Sequence, residues 1–111
     1  MSPRAIVRLP HPLQRRAAIT FLMIDIAYAV GLVAAALTTL SYIPQVRKAY
    51  PRGSTGDLSL KMLLALGAGL GLWVVYGLIR GDKVIIIANS IGVALVVTLV
   101  VFKLRDAYWP N

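Results

Sequence analysis

The sequence contains no cysteine and no glutamate, and it has a single histidine. Without cysteine there can be no disulfide, thiolate metal site or Cys nucleophile. The one histidine, His11, lies among prolines and arginines in a polar N-terminal stretch, away from every other ionisable cluster. A His-based metal centre or triad cannot be assembled from it, and no nucleophile–base pair presents itself elsewhere. Catalysis is not expected, and no cofactor or metal is expected.

Charge is also scarce. Only 14% of residues are charged, against about 25% in a typical soluble domain. Hydrophobic residues make up 59%, and the mean hydropathy is +0.76. A water-soluble fold of 111 residues would have too little polar surface to cover itself. A bilayer removes that requirement by solvating apolar side chains. The charge present is lopsided: twelve Lys and Arg against four Asp give a net +8. Such a basic balance raises the question of nucleic acid. Here the cations sit in short clusters between long apolar runs and form no stripe, which is the pattern of anchors at membrane edges. No nucleic-acid partner is expected.

Three apolar runs organise the chain. Ile26 to Val46 is 21 residues without a charge, Met62 to Ile79 is 18, and Val84 to Phe102 is 19. At about 1.5 Å per residue each spans about 30 Å, the thickness of a hydrocarbon core. Val and Ile are abundant in the third run, but it is far longer than a strand, and lipid forbids open sheet edges. The reading is therefore an all-α membrane protein of three transmembrane helices, over about 25–47, 60–80 and 83–104. Residues 1–23, basic and broken by Pro3, Pro10 and Pro12, read as a flexible extension, and 105–111 as a C-terminal tail. A cleaved leader is not expected, because the apolar stretch continues past Val33-Ala34-Ala35-Ala36.

Between the first two runs lies a polar loop, Arg47 to Lys61, with Asp57 and Ser59 as alternative caps for the second helix. Between the last two lies Arg80-Gly81-Asp82-Lys83, a tight turn that makes them an antiparallel hairpin. The basic residues tie at six on each side of the membrane. Counted from Met23 the tally becomes two against six, which places the first loop and the C-terminus in the cytoplasm. Met23 is thus a possible native start, or the preceding segment is dispensable.

The runs contain no Asp, Glu, Lys, Arg or His. Coupled pumps place an ionisable group inside the membrane, so facilitative movement is favoured. Trp73 lies seven residues before Arg80, and Asn89 six residues after Lys83. In an antiparallel hairpin both lie about 10 Å inside the same face. An amide offers donors and an acceptor for hydroxyls, and an indole offers a flat apolar face. That pair suits a sugar. It also suits a helix-gluing Asn beside an interfacial Trp.

Other positions have two readings as well. Pro44 frees the carbonyl of Leu40, giving either a static kink or a hinge, with Gln45 beside it. Gly67 and Gly71, and then Gly77 and Gly81, have small-xxx-small spacing, for packing within one chain or between two. Tyr76, Arg80 and Asp82 gather where the hairpin turns, either as a solvated turn or as a gate closed by an Arg–Asp pair across a symmetry axis. An exposed pair of this kind is worth about 0–1 kcal/mol, weak enough to open often.

Ser41-Tyr42-Ile43-Pro44-Gln45-Val46 followed by Ser54-Thr55-Gly56-Asp57-Leu58-Ser59 resembles the PQ-loop superfamily, and within it the bacterial SemiSWEET sugar transporters. Trp73-Val74-Val75-Tyr76-Gly77, with Asn89 sixteen residues after the Trp, extends the resemblance, which covers about residues 23–104. It implies a parallel homodimer, a six-helix transporter with the sugar on the two-fold axis, in the bacterial cytoplasmic membrane. Trp73 and Asn89 would line the pocket. Pro44 and Gln45 would be the hinge, Tyr76, Arg80 and Asp82 the extracellular gate, and, by position, Tyr42 and Met62 the intracellular gate. The implied topology has the N-terminus outside and the first loop inside, in agreement with the count from Met23. The basic extension departs from the family pattern. A dimer is also reasonable physically. Three helices close a triangle with no hydrated pore, and alternating access needs two bundles that rock against each other, as in the parallel repeats of SWEET proteins.

Rival readings are another solute such as an amino acid, a non-transporting adaptor, and a drug-exporter subunit. The amino acid lacks a charged partner in the spans. The exporter would need an embedded acid and a fourth span.

Overall fold

Each charge-bounded apolar run becomes the centre of a long helix. The computed structural model describes residues 2–109. It contains α1 (Pro3–Val7), α2 (His11–Ala49), α3 (Leu60–Arg80) and α4 (Lys83–Tyr108), with no strand among the described residues. The last three are long and apolar enough to cross a membrane. The chain divides into two bodies, Met1–Val33 and Ala34–Asn111.

In the first body, residues 3–7 and 11–23 are helical, where the sequence reading has a flexible tail. The prolines account for the difference. Pro3 opens α1 and Pro12 lies in the first turn of α2, where a helix has no use for the missing N–H. Ser2 caps α1, its Oγ accepting from the Ala5 amide at 3.3 Å. Gln14 bridges the break between the helices, donating from Nε2 to the carbonyls of Val7 (2.8 Å) and Leu9 (2.7 Å).

In the second body, α3 and α4 form the expected hairpin. The turn is two residues long. Gly81 takes the left-handed conformation (φ 69°), which glycine adopts without a Cβ penalty. The Asp82 amide donates to the Gly77 carbonyl at 2.9 Å and the Gly81 amide to that of Leu78, a Schellman ending. Asp82 then starts α4, its Oδ1 accepting from the Ile85 amide at 3.1 Å. One aspartate thus serves the end of one helix through its backbone and the start of the next through its side chain.

Glycines set the register of the pair. A Cβ built on Gly77 would lie 2.9 Å from both Ile85 Cγ2 and Ile86 Cγ1. One built on Gly92 would lie 3.2 Å from Leu70, and one on Gly67 3.4 Å from Val96. Gly77 and Gly92 therefore let the helices approach, which matters in lipid, where helix association depends on packing more than on the hydrophobic effect. Of the small-xxx-small residues, Gly67 and Gly77 face α4 within the chain, while Gly71 and Gly81 meet nothing within 4 Å.

A small core of Ala49, Leu63, Val96 and Leu99 lies toward the first-loop end of this body. Tyr42 and Val46 of α2 and Leu58 of the loop pack against it. Large apolar residues elsewhere on α3 and α4, such as Leu72, Ile79 and Ile87, are exposed, as helices solvated by lipid require.

Candidate functional site

The register places position 89 or 90 of α4 level with position 73 of α3, midway between the Leu70–Gly92 and Gly77–Ile86 approaches. Trp73 and Asn89 thus share one layer. Trp73 is about half exposed (53%), and its ring meets that of Tyr76 edge-on, with centroids 5.4 Å apart and planes at 88°. One helical turn separates the two aromatics, so they present a single surface along α3. Asn89 is half-buried, and its Nδ2 donates to the Ile85 carbonyl at 2.8 Å. That bond uses one amide hydrogen and fixes the side chain along its own helix. The carbonyl oxygen accepts from no group among the described residues. The layer therefore holds an aromatic face on α3 and an oriented amide on α4.

At the turn, Arg80 and Asp82 form no ion pair within the chain among the described residues. Asp82 is occupied as the cap of α4. Tyr76, Arg80 and Asp82 are all exposed.

At the other end, α2 continues as helix through Pro44. Gln45 lines an open pocket of about 240 Å³ with Lys48, Ala49, Ser54, Asp57 and Leu58. Tyr42 is half-buried against the core, whereas Met62 is 52% exposed.

Four residues of the Ser54–Ser59 motif have a visible task. Thr55 is buried and donates from Oγ1 to Asp106 at 2.7 Å. Leu58 packs on the core. Asp57 pairs with Lys48, whose ammonium holds this carboxylate below its usual range. Of the two possible caps, Ser59 is the one used: its Oγ accepts from the Met62 amide at 3.2 Å.

The residues that sequence reasoning missed lie in the supposed C-terminal tail. The helix α4 runs on to Tyr108, and Arg105 and Asp106 reach back to the loop. Asp106 lies beyond the last apolar run. The hydrogen bond from Arg105, then that from Thr55, then a Gly53 backbone bond hold its carboxyl well below the carboxylate range. The one available signal was an Arg-Asp pair extending the helical pattern after Lys103. Their loop partners stand 51 to 56 residues away in sequence and could not be read from it.

The PQ loop repeat family model matches residues 26–86. The sugar transporter SemiSWEET of Bradyrhizobium diazoefficiens is 41% identical over 76 residues, which cover 68% of this chain and 88% of that protein. This chain belongs to the SemiSWEET branch of the PQ-loop family. The Leptospira biflexa sugar transporter SemiSWEET is 39% identical over 77 residues, covering 69% of this chain and 91% of the relative. The crystal structure of a bacterial homologue of SWEET transporters matches with a TM-score of 0.69 at 34% identity, over 74% of this chain and 99% of that one. The PQ-loop match begins one residue after Asp25, so the basic N-terminal segment lies outside it. In this SemiSWEET member the helical residues 3–7 and 11–23 precede the matched region, the latter continuous with the first long helix.

Proposed function

We propose that the chain carries out facilitative transport of a mono- or disaccharide by alternating access, working as a parallel homodimer in the bacterial cytoplasmic membrane. The observation that carries this reading is the shared layer of Trp73 and Asn89, an aromatic face and a fixed amide both about 10 Å inside the turn end. A sugar has an apolar ring face for the indole and hydroxyls for the amide. The named activity of the SemiSWEET relatives supports the same substrate class. Charge-free apolar runs support uncoupled movement.

In this reading Trp73 and Asn89 from two protomers enclose the sugar. Tyr76, Arg80 and Asp82 close the outer end, with Arg80 pairing across the dimer axis. Pro44 and Gln45 provide the bend, and Tyr42 and Met62 flank the inner end. The N-terminus is outside, and the first loop and C-terminus are cytoplasmic.

The deciding experiment is uptake of radiolabelled glucose and sucrose into proteoliposomes. Wild type should move at least one of them. Trp73→Ala and Asn89→Ala should abolish uptake while the dimer persists in light scattering. Wild-type rates in both variants would remove the pocket assignment, and a wild type that moves no sugar would remove the function.

A further inference from the structure

The last carbonyls of a helix have no intrahelical donor. At the end of α2 a single side chain takes the carbonyl of the last helical residue, Ala49, and those of the two residues just beyond it. Arg105 donates from Nη2 to the carbonyls of Ala49 (3.2 Å) and Pro51 (3.1 Å) and from Nη1 to that of Tyr50 (2.8 Å). Its remaining nitrogen, Nε, donates to Asp106 Oδ1 at 2.9 Å. All three nitrogens of the fork are engaged, and the positive charge stands where the α2 dipole is negative. The guanidinium also lies 4.8 Å from the centroid of the Phe102 ring, which Tyr50 meets edge-on.

The attachment continues into the loop. Asp106 Oδ2 accepts from buried Thr55, and Lys103 Nζ donates to the Thr55 carbonyl at 2.8 Å. The side chains of Arg105 and Asp106 are only 18% and 12% exposed. Charge-assisted bonds in so sheltered a place are stronger than their surface counterparts. Five residues before Ala49 stands Pro44, with its missing hydrogen bond. The helix is therefore fastened after the proline, where Ala49 is 2% exposed, and before it Tyr42 packs on the same core while Leu37 and Leu40 on another face are exposed.

We infer that Arg105 is a positioning residue for the conformational cycle, fixing the end of α2 and the first loop to α4 so that bending at Pro44 swings the part of α2 before the proline. This inference rests on the transport reading above. Without the anchor, the same bend is taken up by the loop, and the site changes its access more slowly. Lysine cannot replace Arg105, because one nitrogen cannot span three carbonyls and a carboxylate.

The full chain is reconstituted as wild type, Arg105→Ala and Arg105→Lys. Three quantities are read: amide exchange over residues 50–58, maximal sugar flux, and affinity from Trp73 fluorescence in a Trp109→Phe background. In Arg105→Ala, loop exchange should rise about tenfold or more. Flux should fall about tenfold while affinity stays within about twofold, since a gating defect leaves ground-state binding alone. Arg105→Lys should fall between the two. Faster loop exchange with wild-type flux would overturn the inference, as would unchanged exchange or an affinity loss equal to the flux loss. Thr55→Val removes the hydrogen bond from the loop to Asp106 without changing charge and should raise exchange and lower flux as Arg105→Ala does, which covers the case of an Arg105 variant that fails to fold. A wild type that moves neither glucose nor sucrose points instead to failure of the transport reading. Wild-type flux that only the anchor variants lose tests Arg105 alone.

Discussion

Trp73 of α3 and Asn89 of α4 stand at one level of an antiparallel pair whose register is set by glycines, Gly77 against Ile85 and Ile86 on one side and Gly92 against Leu70 on the other. The indole is half exposed and stacks edge-on with Tyr76. The amide is held to Ile85. Aromatic surface and hydrogen-bonding group are thus placed by helix packing, not by a loop.

The two residues should be separable by spectroscopy. With Trp109 replaced by Phe, Trp73 is the only tryptophan, and its emission reports on the layer directly. A transported sugar should shift or quench that emission in a saturable way. Asn89→Ala should weaken the response at least about tenfold, the loss of one or two hydrogen bonds. An unaltered binding curve in that variant would take Asn89 out of the site.

Gly77→Ala should loosen the hairpin. The added methyl meets two isoleucine side chains at 2.9 Å and the Ile86 backbone nitrogen at 3.2 Å, so something must shift. Overpacking of this kind costs about 1–3 kcal/mol. A lower melting temperature in detergent is expected. Gly71→Ala, with nothing within 4 Å, should leave the monomer's packing unchanged, so any effect it has would report on contact with a second chain.

Stability should fall in acid and be flat near neutrality. Asp57 and Asp106 both have carboxyls lowered by folding. A depressed carboxylate stabilises the fold above its unfolded value of about 3.9, and that contribution is lost as pH drops further, through the folded value. Melting temperature should therefore hold from about pH 5 upward and decline below about pH 4. Asp106→Asn should lower the plateau and flatten the acid limb. Asp57→Asn should do little, because its partner Lys48 is exposed.

Pro44→Ala should restore the hydrogen bond to the Leu40 carbonyl and stiffen α2. Sugar binding should persist while flux falls by about tenfold, because opening and closing then become slow. Equal flux in the variant and the wild type would leave Pro44 a static feature of the helix.

Much of this was legible in advance. Apolar runs of 18 to 21 residues bounded by Lys and Arg permit little except membrane helices. The short Gly81-Asp82 turn fixed the hairpin, and equal distances from it put Trp73 and Asn89 at one depth. The N-terminal prolines misled, because a proline in a first turn starts a helix as readily as it breaks one. The choice between Asp57 and Ser59 as cap was undecidable by type, since both side chains can accept from a backbone amide.

The amino-acid sequence by itself determined three membrane helices without an embedded charge, since those follow from local composition and length. Which glycines bring α3 and α4 together, and that Arg105 and Asp106 seize a loop some fifty residues away, only the tertiary structure decided. Those contacts depend on the angle at which each side chain leaves its helix and on what stands opposite. Spacing along a chain carries neither.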